Sequence, residues 1–147
     1  MCIRDRSEEL FNFFDTSLEY NETLAHQLYA GSDFLFMPSR VEPCGLNQMY
    51  GCRYGTIPVV RAVGGLKDTI PDLIESPEIG RGFRFYDFDL DEAFMAVFKA
   101  VELYKNKKQL SVIRKRLMDT DFSWQNSVVQ YKKMYNELVS VSTKNQQ

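Results

Sequence analysis

Long apolar runs are missing from this sequence, and cysteine and histidine are scarce in it. No run approaches the roughly 20 residues that a membrane-spanning helix needs, and the first residues lack the apolar core of a signal peptide. The three cysteines, Cys2, Cys44 and Cys52, show no paired spacing, which argues against a disulfide framework or a thiolate metal site. We therefore expect a cytoplasmic protein with reduced thiols and no membrane partner.

A strong charge of either sign is also missing. The formal net charge is -2, and acids and bases are mixed along the chain instead of forming a basic stripe, which argues against nucleic acid as a partner. The 147 residues, 44% of them hydrophobic, suffice for one sizeable core. Composition thus predicts one globular domain.

Apolar segments of strand length alternate with segments of helical periodicity. The predicted strands are residues 10–14, Phe34–Met37, Ile57–Val60 and Phe83–Tyr86. Helices are predicted from Asn21 or Glu22, from Gly45, and over about Leu66–Ile74, followed by three with apolar positions from Leu90, Leu110 and Trp124, the last N-capped by Ser123. This alternation indicates an α/β fold with a Rossmann-like, doubly wound parallel sheet and closing C-terminal helices.

A lone carboxylate, Glu42, lies between the strand Phe34–Met37 and the helix that follows Gly45. In an open parallel sheet, the loops beyond the carboxyl ends of the strands border the ligand crevice. A helix N-terminus in that crevice offers free N–H groups to a phosphate. We therefore expect Glu42 to lie beside a diphosphate pocket, although most surface carboxylates have no catalytic role.

Four ordered motifs carry a resemblance to a known family. They are EPCGLNQ at Glu42–Gln48, YGTIPVVR at Tyr54–Arg61, GGLKDT at Gly64–Thr69 and DFSW at Asp121–Trp124. Together they resemble the nucleotide-sugar domain of bacterial glycogen synthases and plant starch synthases, which are retaining glycosyltransferases of the GT-B fold. The resemblance covers nearly everything after Tyr20 and implies transfer of glucose from ADP-glucose to the non-reducing end of an α-1,4-glucan.

The resemblance also implies how the chain is organised. Residues 1–6 fit no part of the pattern and look like translated adapter sequence, and residues 7–120 form part of a C-terminal nucleotide-sugar-binding domain. Residues 121–141 form a closing helix and residues 142–147 a disordered tail. The partner is then a missing N-terminal domain of the same enzyme, which supplies the catalytic-site histidine. We therefore expect the isolated chain to be inactive.

The resemblance assigns the main catalytic role to Glu42. In the family this glutamate meets hydroxyls of the donor glucose, and a carboxylate there offsets positive charge that grows at the anomeric carbon. It is not assigned as a nucleophile, because no second acid accompanies it in the motif. Tyr20 is expected to stack on adenine, while Tyr50 either donates a hydrogen bond toward the ribose or packs on the helix face.

The remaining expected contacts are made by the main chain. The amides of Gly45, Leu46 and Asn47 are expected at the diphosphate, and Cys44 is expected to line the sugar pocket through its main chain. The glycine pair of GGLKDT, Gly64 and Gly65, is expected to let the backbone approach the nucleotide pocket. The arginine and lysine that complete the phosphate site in the family belong to an earlier strand and loop.

Three aspartates at alternate positions, Asp87, Asp89 and Asp91, have the D-x-D spacing of metal-dependent glycosyltransferases. Because they directly precede a helical pattern, they are interpreted as caps of its first turn, and neither a metal nor a cofactor is expected. The aromatic residues of the later helices are predicted to be core, and the lysines and arginines at 105–116 a solvated face. Two alternatives remain open: a transferase that uses a UDP- or GDP-sugar, and a non-catalytic nucleotide-binding module.

Overall fold

The computed structural model describes residues 15–144, and the side chains of residues 15–140. Its elements are α1 (Glu22–Gly31), β1 (Phe34–Met37), α2 (Asn47–Tyr54), β2 (Ile57–Arg61), α3 (Gly64–Thr69), β3 (Phe83–Phe85), α4 (Leu90–Lys105), α5 (Lys107–Met118) and α6 (Trp124–Lys144). The predicted leader at 1–6 and strand at 10–14 lie outside the described residues. Helix α6 continues to Lys144, past the start of the predicted tail, and residues 145–147 also lie outside.

The three strands form a parallel sheet in the order β1-β2-β3. Phe34 pairs with Ile57 between β1 and β2, and Val59 pairs with Phe83 between β2 and β3. Strand β2 is buried along most of its length, as expected for the central strand of a sheet covered by helices. The predicted α/β class with a parallel sheet is confirmed.

Two predicted helix boundaries were wrong. Helix α2 begins at Asn47, after Gly45, because Gly45 has a φ of +68°, in the left-handed region that helices do not use. Helix α3 spans Gly64–Thr69 and ends well before Ile74. It ends there because Ile70 precedes Pro71, whose ring disfavours the helical conformation at the preceding residue.

The core lies between the sheet and the helices around it. Helix α4 contacts β2 and β3 and buries small side chains, and α5 contacts α2 and α4 and buries larger aliphatic ones. The buried residues of these two helices are Ala93, Ala96, Ala100, Leu103, Leu110, Ile113 and Leu117. On the sheet side, Ile57 and Val60 of β2 and Leu66 of α3 are fully buried. Burial of this apolar surface is the main stabilising contribution to the fold.

The aromatic residues of the later helices are not core residues, and that prediction was wrong. Phe94 is 64% exposed and Trp124 is 74% exposed. Helix α4 has the predicted periodicity, but the alanine stripe faces the sheet because small side chains let the helix lie close to β3. Helix α6 likewise leaves much of its apolar surface open, at Val128, Tyr131, Tyr135 and Leu138.

The prediction that the lysines and arginines at 105–116 form a solvated face was wrong for Arg114 and Arg116. Arg114 forms an ion pair with Asp33, with Nη1 and Oδ1 3.0 Å apart. Arg116 donates to the main-chain oxygens of Pro77 at 2.6 Å and Gly80 at 2.6 Å, so it ties the 77–80 loop to the helix. Over residues 15–144, no helix combines the length and apolar character needed to cross a membrane.

Candidate active site

Glu42 lies in the loop that joins the carboxyl end of β1 to the start of α2. Its side chain is half-buried, and Oε2 accepts a hydrogen bond from the Ser39 hydroxyl at 3.2 Å. Its main-chain oxygen accepts a hydrogen bond from the amide of Gly65 at 3.1 Å. Both the carboxylate and the backbone of Glu42 are therefore held by neighbouring residues.

Arg61 anchors the first part of the same loop from the end of β2. Its Nη1 donates to the main-chain oxygen of Arg40 at 3.0 Å, and its Nε donates to that of Tyr86 at 3.1 Å. Sequence reasoning assigned no role to Arg61 or Ser39. Their positions were the available signal: Arg61 ends β2 and Ser39 follows β1, and the carboxyl ends of neighbouring parallel strands meet at one edge of the sheet.

The start of α2 is open to an anion. Leu46 is the N-cap, and no side chain of the described residues accepts a hydrogen bond from this helix start. The first helical amides, at Asn47 and Gln48, have no acceptor among residues 15–144. A phosphate at such a terminus gains about 0.3–2 kcal/mol from the helix dipole. Gly45 itself lies outside the helix.

The glycine pair at the start of α3 packs against the backbone of the Glu42 loop. A Cβ on Gly64 would lie 1.9 Å from the Glu42 oxygen, and one on Gly65 would lie 1.7 Å from the Cys44 oxygen. No side chain fits at these distances. The pair therefore packs against the main chain of Glu42 and Cys44, and the predicted approach to the nucleotide pocket stays a prediction.

Cys44 of the loop contacts Gln48 of α2. The thiol of Cys44 is exposed, while its carbonyl points inward and accepts from Gln48 Nε2 at 3.3 Å. Gln48 is fully buried, with 0% exposure, and the same Nε2 donates to the Gly45 oxygen at 2.9 Å. Sequence reasoning missed Gln48, because its position in the motif gives no sign that an amide is buried there.

Tyr20 lies just before α1, and Tyr50 lies on α2. Burial raises the pKa of Tyr29 on α1, and the phenols of Tyr50 and Tyr20 raise it further. The Tyr50 ring centroid lies 6.2 Å from that of Tyr29 and 5.7 Å from that of His26. Tyr50 thus packs between α1 and α2 while 43% of it stays exposed, and Tyr20 is 93% exposed.

Of the three aspartates at 87, 89 and 91, Asp89 is the N-cap of α4. Asp89 Oδ1 accepts from the amides of Asp91 at 2.9 Å and Glu92 at 3.1 Å, as predicted. Glu92 in turn accepts from the amides of Asp87 and Tyr86, and these hydrogen bonds lower its pKa. In the described part of the chain, no three His, Cys, Asp or Glu side chains form a group suited to a metal ion.

The structure therefore brings one carboxylate and one open helix start together on a single loop. Such an arrangement can accept hydrogen bonds from hydroxyl groups at the carboxylate and stabilise an anion at the helix amides. Of the predicted residues, Glu42, Cys44, Gly45 and Leu46 lie in this loop and Asn47 begins α2, while Gly64 and Gly65 pack against the loop. Tyr20 and Tyr50 are not part of this loop, because Tyr20 precedes α1 and Tyr50 lies on α2.

Comparison with known proteins shows that this chain is similar to glycogen synthases from several bacteria. The chain is 46% identical over 128 residues to glycogen synthase from Thermosipho melanesiensis, covering 84% of this chain and 26% of the relative. It is 45% identical over 120 residues to glycogen synthase from Bacillus anthracis, covering 82% and 25%. It is 41% identical over 139 residues to that of Koribacter versatilis, covering 95% and 29%. No family profile matches the chain.

A solved structure is similar in fold and sequence. It is the catalytic domain of starch synthase IV from Arabidopsis thaliana bound to ADP and acarbose, with a TM-score of 0.77 and 36% sequence identity. The match covers 93% of this chain and 29% of that chain. This chain spans about a quarter of the length of the glycogen synthases reported above.

Proposed function

Because this chain belongs to the glycogen synthase and starch synthase family, we propose that it is the donor-binding part of a retaining glucosyltransferase that takes glucose from ADP-glucose. The observation that carries the proposal is the single loop on which Glu42 and the open start of α2 lie together. The acceptor is the non-reducing end of an α-1,4-glucan. The chain spans about a quarter of the relatives' length, so the whole reaction requires the rest of the protein.

The proposed chemistry uses the two features of the loop in one step. As the bond between the anomeric carbon and the diphosphate breaks, the carbon gains positive charge and the leaving group gains negative charge. The Glu42 carboxylate stabilises the first and accepts hydrogen bonds from the sugar, and the amides at the start of α2 stabilise the second. The hydrogen-bond partner of Glu42 is Ser39 and not a second acid, so a double displacement by two adjacent carboxylates is not proposed.

The adenine of the donor is proposed to stack on Tyr20. Its exposure leaves the ring face free, and base stacking on an aromatic side chain does not need a hydrogen-bonding pocket. Tyr50 lies nearby with part of its surface open, which supports a hydrogen bond from its hydroxyl toward the ribose. The main chain at Cys44 borders the sugar.

The partner is proposed to be an N-terminal domain of the same enzyme. The exposed apolar surface of α6, at Trp124, Tyr131 and Tyr135, supports this, because large aromatic side chains favour burial in an interface. That domain would also supply the catalytic-site histidine, while the basic residues for the diphosphate would come from an earlier strand and loop. The isolated chain is therefore proposed to be inactive.

No metal ion is proposed to take part. The carboxylate of Asp89 is engaged by two helix amides and that of Glu92 by two loop amides, so the D-x-D segment has a structural role. We expect activity to persist in a chelator. A cytoplasmic location belongs to the same proposal, because the free thiols of Cys44 and Cys52 suit a reducing compartment.

The test is glucose incorporation into glucan by the full-length enzyme that contains this chain. Glu42→Ala is expected to lower kcat by about 10²- to 10³-fold, the loss typical of one preorganised electrostatic group. Glu78→Ala, at an exposed carboxylate in the 77–80 loop, is the matched control and should leave kcat unchanged. Unaltered turnover in Glu42→Ala would instead favour the non-catalytic module.

Donor preference separates the proposed enzyme from its nearest rival. The rate of the full-length enzyme would be measured as a function of concentration for ADP-glucose, UDP-glucose and GDP-glucose, each as the sole donor. A kcat/KM highest for ADP-glucose, and reduced for that donor in Tyr20→Ala, supports the proposal. A higher kcat/KM for the uridine or guanosine donor contradicts it and assigns the chain to another retaining transferase.

A further inference from the structure

Gln48 is the second residue of α2 and is fully buried, although its side chain is a polar amide. A buried amide is unfavourable unless its hydrogen-bonding groups are paired. Its Nε2 lies within hydrogen-bond distance of three oxygens, those of Cys44 at 3.3 Å, Gly45 at 2.9 Å and the Thr69 hydroxyl at 3.1 Å. Its Oε1 has no partner among the described residues.

The orientation of this amide follows from its neighbours. The main-chain oxygens of Cys44 and Gly45 can only accept hydrogen bonds. The Thr69 hydroxyl already donates its proton to the Gly65 oxygen at 2.6 Å, so toward Gln48 it can also only accept. All three positions therefore require the NH₂ group of Gln48, and the opposite orientation would set oxygen against oxygen.

These bonds join into one path between α3 and the Glu42 loop. The Thr69 hydroxyl donates to the Gly65 oxygen, and the two N–H groups of Gln48 Nε2 are shared among the Thr69 hydroxyl and the Cys44 and Gly45 oxygens. The amide of Gly65 donates to the Glu42 oxygen at 3.1 Å and closes the path. The loop from Glu42 to Gly45 is thus held at both ends by two residues that are not part of it.

From this geometry we propose that Gln48 is a positioning residue for the reaction, which holds the Glu42 backbone at the distance from the donor sugar that transfer requires. The inference rests on the proposed function of Glu42. A misplacement of about 1 Å in a catalytic group is enough to lower a rate by about 10²-fold. An apolar side chain at position 48 would avoid the unpaired Oε1, so stability alone does not account for an amide there.

The variants to compare, in the full-length enzyme, are Gln48→Met and Thr69→Val. Gln48→Met removes the three contacts of the Gln48 amide, and Thr69→Val removes the two bonds of the Thr69 hydroxyl, each with side-chain volume kept nearly constant. Each is expected to lower kcat by about 10- to 100-fold with the KM for the donor changed by less than about threefold. Because both act through one path, the double variant should lose little more than either single one.

Two controls separate positioning from a general loss of stability. Thr69→Ser keeps the hydroxyl and should restore most of kcat. Thr56→Val removes a buried hydroxyl that donates to the Tyr29 and Ser32 oxygens, away from the loop, and should lower Tm without lowering kcat. If Gln48→Met does not fold, the Thr69→Val and Thr69→Ser pair decides the question alone.

Glu42→Ala is assayed beside these variants. Loss of turnover in Glu42→Ala together with unchanged kcat in Gln48→Met and Thr69→Val would overturn this inference and leave the proposed function standing. Full turnover in Glu42→Ala would overturn the proposed function, and this inference with it. Loss in all three, with Thr69→Ser active, supports both.

Discussion

The hydroxyl of Ser39 donates a hydrogen bond to Oε2 of Glu42 across 3.2 Å. The bond spans the turn between β1 and α2 and engages one of the two carboxylate oxygens. Arg61 holds the backbone of this turn from β2, by donating to the main-chain oxygens of Ser39 and Arg40. The carboxylate is therefore oriented by Ser39 of its own loop, and the loop is held by Arg61 at the end of the adjacent strand β2.

Removal of the Ser39 hydroxyl should slow transfer. Ser39→Ala in the full-length enzyme is expected to lower kcat by about tenfold, a change of about 1.4 kcal/mol, because the carboxylate loses the bond that orients it. The measurement is the steady-state rate of glucose incorporation. Ser39→Thr keeps a hydroxyl and should stay near wild type, and Ser111→Ala, on the exposed surface of α5, serves as the surface control. Equal rates for Ser39→Ala and wild type would contradict the prediction.

A side chain at Gly65 should displace the Glu42 loop. In Gly65→Ala the new Cβ would lie 1.7 Å from the Cys44 oxygen, so the backbone must move. We expect a loss of about 3 kcal/mol or more in the free energy of unfolding, measured by urea denaturation, and a weaker affinity for the donor.

Gly31→Ala is the matched control for this change. Nothing lies within 4 Å of a Cβ added at Gly31, which ends helix α1. Its effect on the free energy of unfolding should stay below about 1 kcal/mol. Similar losses for Gly31→Ala and Gly65→Ala would show that close packing against Cys44 is not the cause.

The strand, loop and helix around Glu42 could be predicted, because the residues that mark their boundaries are close together in the sequence. A short apolar run bounded by Pro38 and Ser39, then a glycine before a helical pattern, identifies strand, loop and helix without knowledge of distant contacts. The ends of the helices were less predictable. Gly45 stayed outside α2 with a left-handed φ, and the Gln48 amide occupies the space that a Cβ at this position would need, a contact that the sequence does not display.

Periodicity identified which residues share a face, and it did not identify which face would be covered. On α4, both the alanine stripe and the stripe with Phe94 and Phe98 recur at helical spacing. The close packing of β3 on α4 selected the small residues. The same limit applies to Gln48 and Thr69, because their hydrogen bonds connect segments that are 21 residues apart.

Loss of the Arg116 side chain should loosen the 77–80 loop. Its guanidinium donates to the main-chain oxygens of Pro77, Glu78 and Gly80, a geometry that the single ammonium of lysine cannot reproduce. Both Arg116→Ala and Arg116→Lys are expected to lower the free energy of unfolding by about 2 kcal/mol. Lys115→Ala, at the exposed neighbouring position, should change it by less than about 0.5 kcal/mol. If Arg116→Ala lowers the free energy of unfolding and Arg116→Lys does not, the requirement for a guanidinium that reaches all three oxygens is contradicted.

Burial raises the pKa of the Cys52 thiol to about 12. The folded state therefore keeps its proton where an unfolded chain, with a thiol pKa of about 8.5, loses it. The contribution of this group to stability is complete below about pH 8.5 and falls as pH rises toward 12. The difference in the free energy of unfolding between wild type and Cys52→Ala should accordingly shrink between pH 8 and pH 10, since the cavity left by alanine does not titrate.

The same burial predicts which of two thiols, Cys44 or Cys52, reacts first. Cys44 is exposed and Cys52 is buried, so iodoacetamide at pH 8 should label Cys44 in the native protein and Cys52 only after urea is added. Peptide mass spectrometry distinguishes the two sites, and a Cys44→Ser variant shows whether Cys52 labelling depends on the first reaction. Labelling of Cys52 in the native protein at the rate of Cys44 would mean that α2 opens readily from the core. That outcome would also weaken the case that Gln48, four residues earlier on the same helix, holds the Glu42 loop in place.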